Sequence, residues 1–202
     1  EFPVAQTPAD AIALFDLAHR MDRILHVEHI ELLDPATKTL CGQVRPEVIT
    51  EVAVQFQRPG PDDAGAPALA LANVARLHRL CALAGNVEAV ESVSAAPGSL
   101  AAVLRMATGT SASLTFQQAP YFKRQTTLDV HTPTDQWRQV DGAVTRNGKP
   151  VSLLGVRSLF GRDHAYAMNR IATGADSYVS PERILHVLEV VQRLSRQQLG
   201  PL

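Results

Sequence analysis

Residues 87–117 read VEAVESVSAAPGSLAAVLRMATGTSASLTFQ and carry the clearest β pattern in the chain. Apolar and polar side chains alternate through 87–94, 101–106 and 112–117, and an alternation of period two is typical of β-strands. Pro97-Gly98 and Thr108-Gly109 separate the three runs, as turn residues do. The stretch therefore predicts consecutive strands that pair as an antiparallel meander.

The strand pattern extends in both directions from this stretch. Asn147-Gly148 separates two short runs, and both residues tolerate the positive φ of a type I′ hairpin turn. A β-rich run from Ile49 to Phe56 lies upstream. The runs downstream are 124–130, 136–140, 143–145 and 151–154. We expect an antiparallel sheet of about six strands.

Helical patterns flank the strands on both sides. Thr7-Pro8 begins a helix over about 8–21, because Thr is a favoured N-cap and Pro is tolerated at the first helical position. Further helices are expected at about 35–44, 68–84, 163–171 and from Ser180 onward. Helices gathered on one face of an antiparallel sheet give an α+β fold.

Composition limits the possible partners. The 202 residues are 46% apolar and 19% charged, with a net charge of −1 and scattered basic residues. We expect no nucleic-acid partner and no membrane partner, since neither a basic patch nor a long apolar span is present. We predict a cytoplasmic protein in which Cys41 and Cys81 are buried free thiols.

The segment His26-Val27-Glu28-His29-Ile30-Glu31-Leu32-Leu33 carries a family resemblance. Together with Glu1-Phe2-Pro3 it resembles the junction of biliverdin reductases, in the glucose–fructose oxidoreductase and inositol dehydrogenase superfamily. Val74–Arg79 and the segments 158–163 and 183–188 resemble later helices of that family, in the same order. The resemblance implies that residues 1–33 are a remnant αβ unit of a nucleotide-binding domain and that 34–202 form the family's C-terminal sheet domain.

The resemblance also bears on the cofactor. Such reductases carry a Gly-rich phosphate turn in a Rossmann domain, and this sequence contains no GxGxxG motif. We therefore expect this chain alone to bind no cofactor, and NADPH to bind only if a Rossmann domain is supplied. Phe2 marks the cofactor edge, where biliverdin reductases have a tyrosine that can donate a proton or hydrogen bond; Phe lacks that hydroxyl.

The junction itself contains ionisable side chains. On a strand, His26 and Glu28 face one way and His29 the other, so the three do not converge on a metal ion, and we predict no metal site. Glu28 is a candidate general base, with His26 to orient it. The simpler interpretation is a junction strand whose polar groups bond to neighbouring loops.

The remaining candidates lie on the helix at 68–84 and on the sheet. Arg76 and Arg79 share a helix face, and the resemblance places Arg76 where the family arginine meets a bound bilin; a solvated helix face is the alternative. Glu91 is a candidate base on the sheet, although simple solvent exposure is the favoured interpretation. Tyr121, Lys123, Arg124 and Trp137 are expected to line an uncovered sheet face that binds substrate.

Three functions are compatible with these residues. The first is the substrate-binding half of a biliverdin reductase-like NAD(P)H-dependent reductase that acts on a flat carboxylated small molecule. The second is a free-standing, cofactor-independent enzyme that performs acid/base cyclisation or condensation on an apolar or aromatic small molecule. The third is a non-catalytic binding or partner subunit. We also expect a homodimer that buries the apolar face of helix 8–21 and the edge of a strand over 24–32.

Overall fold

The computed structural model of the chain describes residues 3–153 and 158–196. Within these ranges, helices flank a central group of strands in the chain. The helices are α1 (Pro8–Arg20), α2 (Pro35–Gln43), α3 (Ala66–Ala72), α4 (Val74–Ala84), α5 (Leu159–Thr173) and α6 (Pro181–Arg196). The strands are β1 (Glu51–Arg58), β2 (Val87–Ala96), β3 (Ser99–Met106), β4 (Ser111–Gln118), β5 (Gln125–His131), β6 (Gln136–Val140), β7 (Ala143–Arg146) and β8 (Lys149–Pro150).

The sheet is larger than predicted and is mixed rather than antiparallel. Its eight strands have the order β2-β3-β4-β1-β5-β6-β7-β8. Strand β1 lies inside the meander, parallel to β4 and antiparallel to β5. The prediction of about six antiparallel strands was wrong because consecutive runs were taken as neighbours. The chain instead leaves β1 through α3 and α4 and returns to the far edge of the sheet at β2.

The main core lies between the sheet and helices α3, α4 and α6, which contact β3, β1 and β2 respectively. Alternate residues of each central strand are buried on this face, among them Val54, Leu104 and Leu114. Residues between them, such as Gln55 and Thr115, lie on the opposite face, which we call the open face. The α+β class and the helices on one face are as predicted.

The N-terminal segment packs on the far end of α6. Ala11 of α1, Val27 and Leu188 of α6 belong to a second apolar cluster, separate from the main core. Helix α1 agrees with the predicted 8–21. The predicted strand over 24–32 is wrong, since 23–29 pair with no strand among the described residues and Ile30–Leu32 form a single 3₁₀ turn. A strand needs a neighbour for its backbone hydrogen bonds, and no described segment provides one.

Three smaller expectations can also be compared with the structure. Cys81 is buried, but Cys41 is exposed on α2, so only one of the two thiols is a core residue. Across 3–153 and 158–196, no helix combines the length and the apolar character needed to cross a membrane. The predicted run 151–154 forms no strand at 151–153, and Leu154 lies outside the described residues.

The turn at Gly98 joins β2 to β3 and ties them to two other segments. Its φ is +68°, and a Cβ placed there would lie 2.6 Å from the Gln118 carbonyl oxygen and 2.7 Å from that of Asp62. Its own amide donates to the Ala64 carbonyl at 3.0 Å. The site therefore excludes any side chain both by conformation and by backbone contact.

We predict that Gly98→Ala lowers the free energy of unfolding by about 3 kcal/mol, because strain at positive φ adds to a backbone clash. Urea denaturation measures this value. Gly109→Ala is the matched control: its φ is +85° but nothing lies within 4 Å of the added Cβ, so strain alone should cost about 1 kcal/mol. Equal losses for the two variants would contradict the proposed clash.

Candidate functional site

The arginines of α4 lie against the sheet rather than in solvent. The Arg76 guanidinium carbon is 3.8 Å from the centroid of the Phe56 ring, a cation–π contact on the helix-covered face of β1. Arg79 donates to the side-chain carbonyl of Gln139 on β6. Both arginines are buried, so the interpretation as a solvated helix face is wrong. The predicted shared helix face exists, and it points inward.

Glu31 is the carboxylate paired with this buried charge. Its Oε1 is 3.0 Å from Nη2 of Arg76, which links the 3₁₀ turn of the junction to α4. Burial lowers the pKa of Arg76, while Glu31 opposes that shift and the charges of Arg124, Arg79 and Arg58 add to it. Nε of Arg76 has no hydrogen-bond partner within the described part of the chain. The site therefore holds more positive than negative charge.

An accessible rim surrounds the buried arginine. The connection from β4 to β5 carries Tyr121, which is 80% exposed, together with Lys123 and Arg124. The guanidinium carbon of Arg124 is 5.8 Å from the Phe56 ring centroid, so Arg124 and Arg76 share one aromatic ring. Arg58, at the end of β1, donates from Nε to the side-chain oxygen of Gln118 at 2.7 Å. We call Arg58, Phe56, Arg76 and Arg124 the arginine site.

Two predicted site residues belong elsewhere. Trp137 is only 2% exposed and lies opposite Val130 in the core, so it does not line the open face. The alternation of β6 sends Trp137 to the helix-covered face, and the expectation is corrected. Glu91 is exposed on β2 and pairs with Arg105 at 3.4 Å, next to Glu88 at 3.1 Å from the same arginine.

The backbone of β2 explains why Glu88 and Glu91 both pair with Arg105. Strict alternation puts positions three apart on opposite faces, but β2 has register shifts between Val87 and Ala89 and between Val90 and Ser92. These irregularities let both carboxylates reach Arg105 on β3. Glu91 is therefore part of an exposed ion-pair group, and its position favours the solvent-exposed interpretation over that of a base.

The junction holds a second polar cluster. Nε2 of His26 is 3.0 Å from Oδ1 of Asp163 on α5, and the Tyr178 hydroxyl donates to the same oxygen at 2.5 Å. The backbone N–H of His29 donates to the Tyr178 hydroxyl at 2.7 Å. Burial and then the Asp163 hydrogen bond raise the pKa of Tyr178, which keeps its hydroxyl protonated. We call His26, Asp163 and Tyr178 the junction triad.

This triad corrects the expected role of His26. The imidazole is oriented by Asp163 rather than placed to orient Glu28, which is partly exposed on the same segment. Sequence reasoning missed Asp163 and Tyr178 because Asp163 lies 137 positions from His26 and no local pattern links them. Among the described residues, no group of three or more His, Cys, Asp or Glu side chains is arranged to hold a metal ion. Phe2 lies outside the described residues.

The two sites differ in what they can do. The arginine site offers fixed guanidinium groups and an aromatic ring, which suit a carboxylate attached to a flat group. The junction triad offers an imidazole held by a carboxylate, an arrangement able to accept or donate a proton. Both lie at the seam between residues 1–33 and the sheet.

Comparison with known proteins supports the fold. The structure of biliverdin reductase from Synechocystis sp. PCC 6803, in complex with biliverdin and NADP+, superposes with a TM-score of 0.78 and 22% identity over 97% of this chain and 69% of that one. UDP-N-acetylglucosamine 3-dehydrogenase from Acidithiobacillus ferrooxidans gives a TM-score of 0.78 and 15% identity, covering 96% and 67%. A dehydrogenase from Clostridium difficile gives 0.82 and 10%, covering 97% and 69%.

These likenesses confirm the predicted resemblance at the level of the fold. The chain spans about two thirds of the length of each of these three structures. No protein-family model matches the sequence, and no curated protein matches it. The substrate and the chemistry of this chain are therefore argued from its own residues.

A pair of buried imidazoles lies between the two sites. The rings of His29 and His78 are 4.1 Å apart, and the two residues are 3% and 1% exposed. Burial lowers the pKa of His29 from 6.5 to about 4, and that of His78 from 6.5 to about 2. Both rings are therefore neutral in the folded protein at physiological pH.

We predict that stability falls in mild acid because of this pair. Above about pH 7.5 both residues are almost entirely neutral in the folded and in the unfolded chain. Between about pH 6 and 4 the unfolded chain binds two protons that the folded chain excludes, so the free energy of unfolding drops by about 2.7 kcal/mol per pH unit. Below pH 4 His29 also becomes charged in the folded state, and only the His78 contribution continues. Urea denaturation at pH 7, 6 and 5 measures the slope.

His78→Gln should remove about half of this slope, because one of the two excluded protons no longer exists. His164→Gln is the control, since His164 is exposed on α5. An unchanged slope in the His78 variant would mean that other groups cause the acid sensitivity.

Proposed function

We propose that this chain is the substrate-binding half of an NAD(P)H-dependent reductase that acts on a flat, carboxylated small molecule. The single observation that carries the proposal is the arginine site, where Arg76 and Arg124 approach the same Phe56 ring and Glu31 is the paired carboxylate. Buried guanidinium charge is costly unless anions balance it, so a site with excess arginine favours an anionic ligand. Tyr121, three positions before Arg124 in the chain, is an exposed aromatic residue that could contact such a ligand.

Apolar surface on two helices supports a two-domain arrangement. Leu14, Leu17 and Met21 recur at helical spacing on α1 and are exposed, although the opposite side of α1 already packs on α6. Phe160 and Ile171 of α5 are also exposed. Exposed apolar side chains on two helices favour a protein partner. We assign this surface to a nucleotide-binding domain, whether in the same polypeptide or in another.

A groove beside α1 supports the same assignment. It has a volume of about 790 Å³ and lies between α1, the junction and the start of α6, away from the arginine site. Its lining mixes acidic groups such as Asp16 and Glu182 with basic groups such as Arg23 and Arg170. Mixed charge beside exposed apolar side chains resembles a protein interface more than a site for one small anion.

We propose that this chain does not hold a nicotinamide dinucleotide on its own. The N-terminus of α1 is capped by its own Thr7 side chain, which accepts from the Asp10 amide at 3.2 Å, and that of α2 is capped by Asp34. The sequence contains no Gly-rich turn that would free such amides for a pyrophosphate. We therefore propose that NADPH is held by the nucleotide-binding domain. We assign no residue of this chain a part in hydride transfer.

We predict that the chain binds biliverdin, a flat molecule with two carboxylates, more tightly than biliverdin dimethyl ester. Arg124→Ala should weaken biliverdin binding about fivefold, since a partly exposed charge-assisted contact contributes about 1 kcal/mol. The same variant should leave the affinity for the ester unchanged. Absorbance titration of the purified chain measures both affinities, and NADPH added in a separate titration should show no saturable binding.

Arg138→Ala is the matched control, because Arg138 is a similarly exposed arginine on β6 that pairs with Asp129. Binding of UDP-N-acetylglucosamine in place of biliverdin would refute the proposal that the substrate is flat and carboxylated. It would still agree with an anionic ligand. Equal affinity for acid and ester would overturn the role of the arginine site, and a micromolar dissociation constant for NADPH would overturn the separate cofactor domain.

We further propose that the chain by itself forms a homodimer through the exposed face of α1. Static light scattering at micromolar concentration should give twice the monomer mass, and Leu17→Glu should give a monomer because it places a charge in the apolar contact. Ile12→Glu is the control, since Ile12 is exposed on another side of the same helix. A monomeric wild-type chain would refute the dimer.

A further inference from the structure

The arginine site contains its own carboxylate, and that carboxylate lies on the side from which a ligand must come. The side chain of Arg76 is 7% exposed, whereas that of Glu31 is 23% exposed. One face of the guanidinium is covered by the Phe56 ring at 3.8 Å. Glu31 is therefore the part of the pair that solvent can reach, and it lies between Arg76 and the surface.

The charges around Arg76 make this carboxylate exchangeable. Arg58, Arg79 and Arg124 all act on Arg76 with the same sign, and Glu31 is the group that opposes them. Arg79 also interacts with Asp34, so the acidic groups near the four arginines are fewer than the arginines. Replacing one carboxylate by another leaves the charge of the site unchanged. Removing Glu31 without replacement leaves a buried cation without its ion-pair partner.

We propose that Glu31 is an internal substitute for the substrate carboxylate, which occupies the anion position on Arg76 until a ligand displaces it. The identity of the ligand in this inference rests on the proposed function. The anion position on Arg76 does not depend on that function. Glu31 belongs to the short 3₁₀ turn Ile30–Leu32, none of whose residues is fully buried, so its side chain can turn toward solvent without opening the core.

The exchange has a consequence for specificity. An uncharged ligand cannot replace Glu31 without leaving Arg76 unpaired, so the site discriminates against esters and amides. A carboxylated ligand gains the Arg76 contact but must release the Glu31 contact. Glu31 therefore lowers the affinity for the correct ligand and raises the selectivity for its charge.

Chemical rescue tests the anion position directly. Glu31→Ala removes the carboxylate and leaves space for a small anion, and we expect the variant to melt at a lower temperature than the wild type. Replacing chloride by acetate at constant ionic strength should then raise the melting temperature of the variant by about 2–4 °C, because acetate binds only the folded chain. The wild type, whose position is filled by Glu31, should show no difference between the two salts.

Asp129→Ala is the matched control, because Asp129 pairs with Arg138 at 3.7 Å away from the arginine site. Acetate should not stabilise this variant more than chloride does. Rescue of the Asp129 variant to the same extent, or no acetate effect on Glu31→Ala, would overturn the proposal. If Glu31→Ala does not fold, Glu31→Gln keeps the size of the side chain and is compared with the wild type for ligand binding.

Ligand binding separates this inference from the proposed function. Glu31→Gln should bind biliverdin about tenfold more tightly than the wild type, since the competing charge-assisted contact is gone, while its affinity for the dimethyl ester should not change. Glu31→Asp should restore the wild-type affinity at least in part. Acetate rescue without any binding of biliverdin would leave the anion position intact and refute the substrate class. Equal or weaker biliverdin binding by Glu31→Gln would refute the displacement of Glu31.

Discussion

The insertion of β1 between β4 and β5 is the constraint on which the rest of the structure depends. Its residues are paired on both sides, with Phe56 opposite Phe116 on β4 and Thr126 on β5. A slip of one residue would turn every side chain of β1 to the other face of the sheet. Phe56 would then leave the helix-covered face, and Arg76 would lose the ring on which it lies. The same register that builds the core therefore positions the arginine site.

Burying Arg76 and Arg79 under α4 is not explained by stability alone. Apolar residues of similar volume at such positions usually stabilise a core as well as a buried ion pair does, or better. Gln139 satisfies Arg79 by a neutral amide, so that contact alone leaves its charge unbalanced. Burying these cations costs desolvation free energy. A bound ligand or an internal carboxylate must offset that cost. We therefore propose that a ligand binds at the arginine site rather than on the open face of the sheet.

Local patterns in the sequence predicted the elements well, and their pairing poorly. The turn residues Pro97-Gly98 and Asn147-Gly148 marked hairpins that the structure contains, because the positive φ found at Gly98, Asn147 and Gly148 is a local requirement. The place of β1 was not predictable, since its partners follow it by more than fifty positions and nothing in residues 51–58 names them. Arg76 was identified as a site residue from its helix and from the family resemblance. Asp163, Tyr178 and Phe56 were missed as site residues because their partners are also distant in sequence. Trp137 was misplaced because alternation gives the two faces of a strand but not which of them the helices cover.

The junction is more than a residual piece attached to the sheet domain. Its 3₁₀ turn supplies Glu31 to Arg76, its backbone amide at His29 binds Tyr178, and its His26 binds Asp163 of α5. Ala11 and Val27 pack on α6 in a cluster of their own. These contacts connect the N-terminal segment to three separate helices of the sheet domain. A movement of the segment, such as one caused by a nucleotide-binding domain on the exposed face of α1, would therefore act on Glu31 directly. The segment that would contact a nucleotide-binding domain is thus the same segment that holds Glu31 on Arg76. Cofactor binding in that domain could therefore change how tightly Glu31 is held on Arg76.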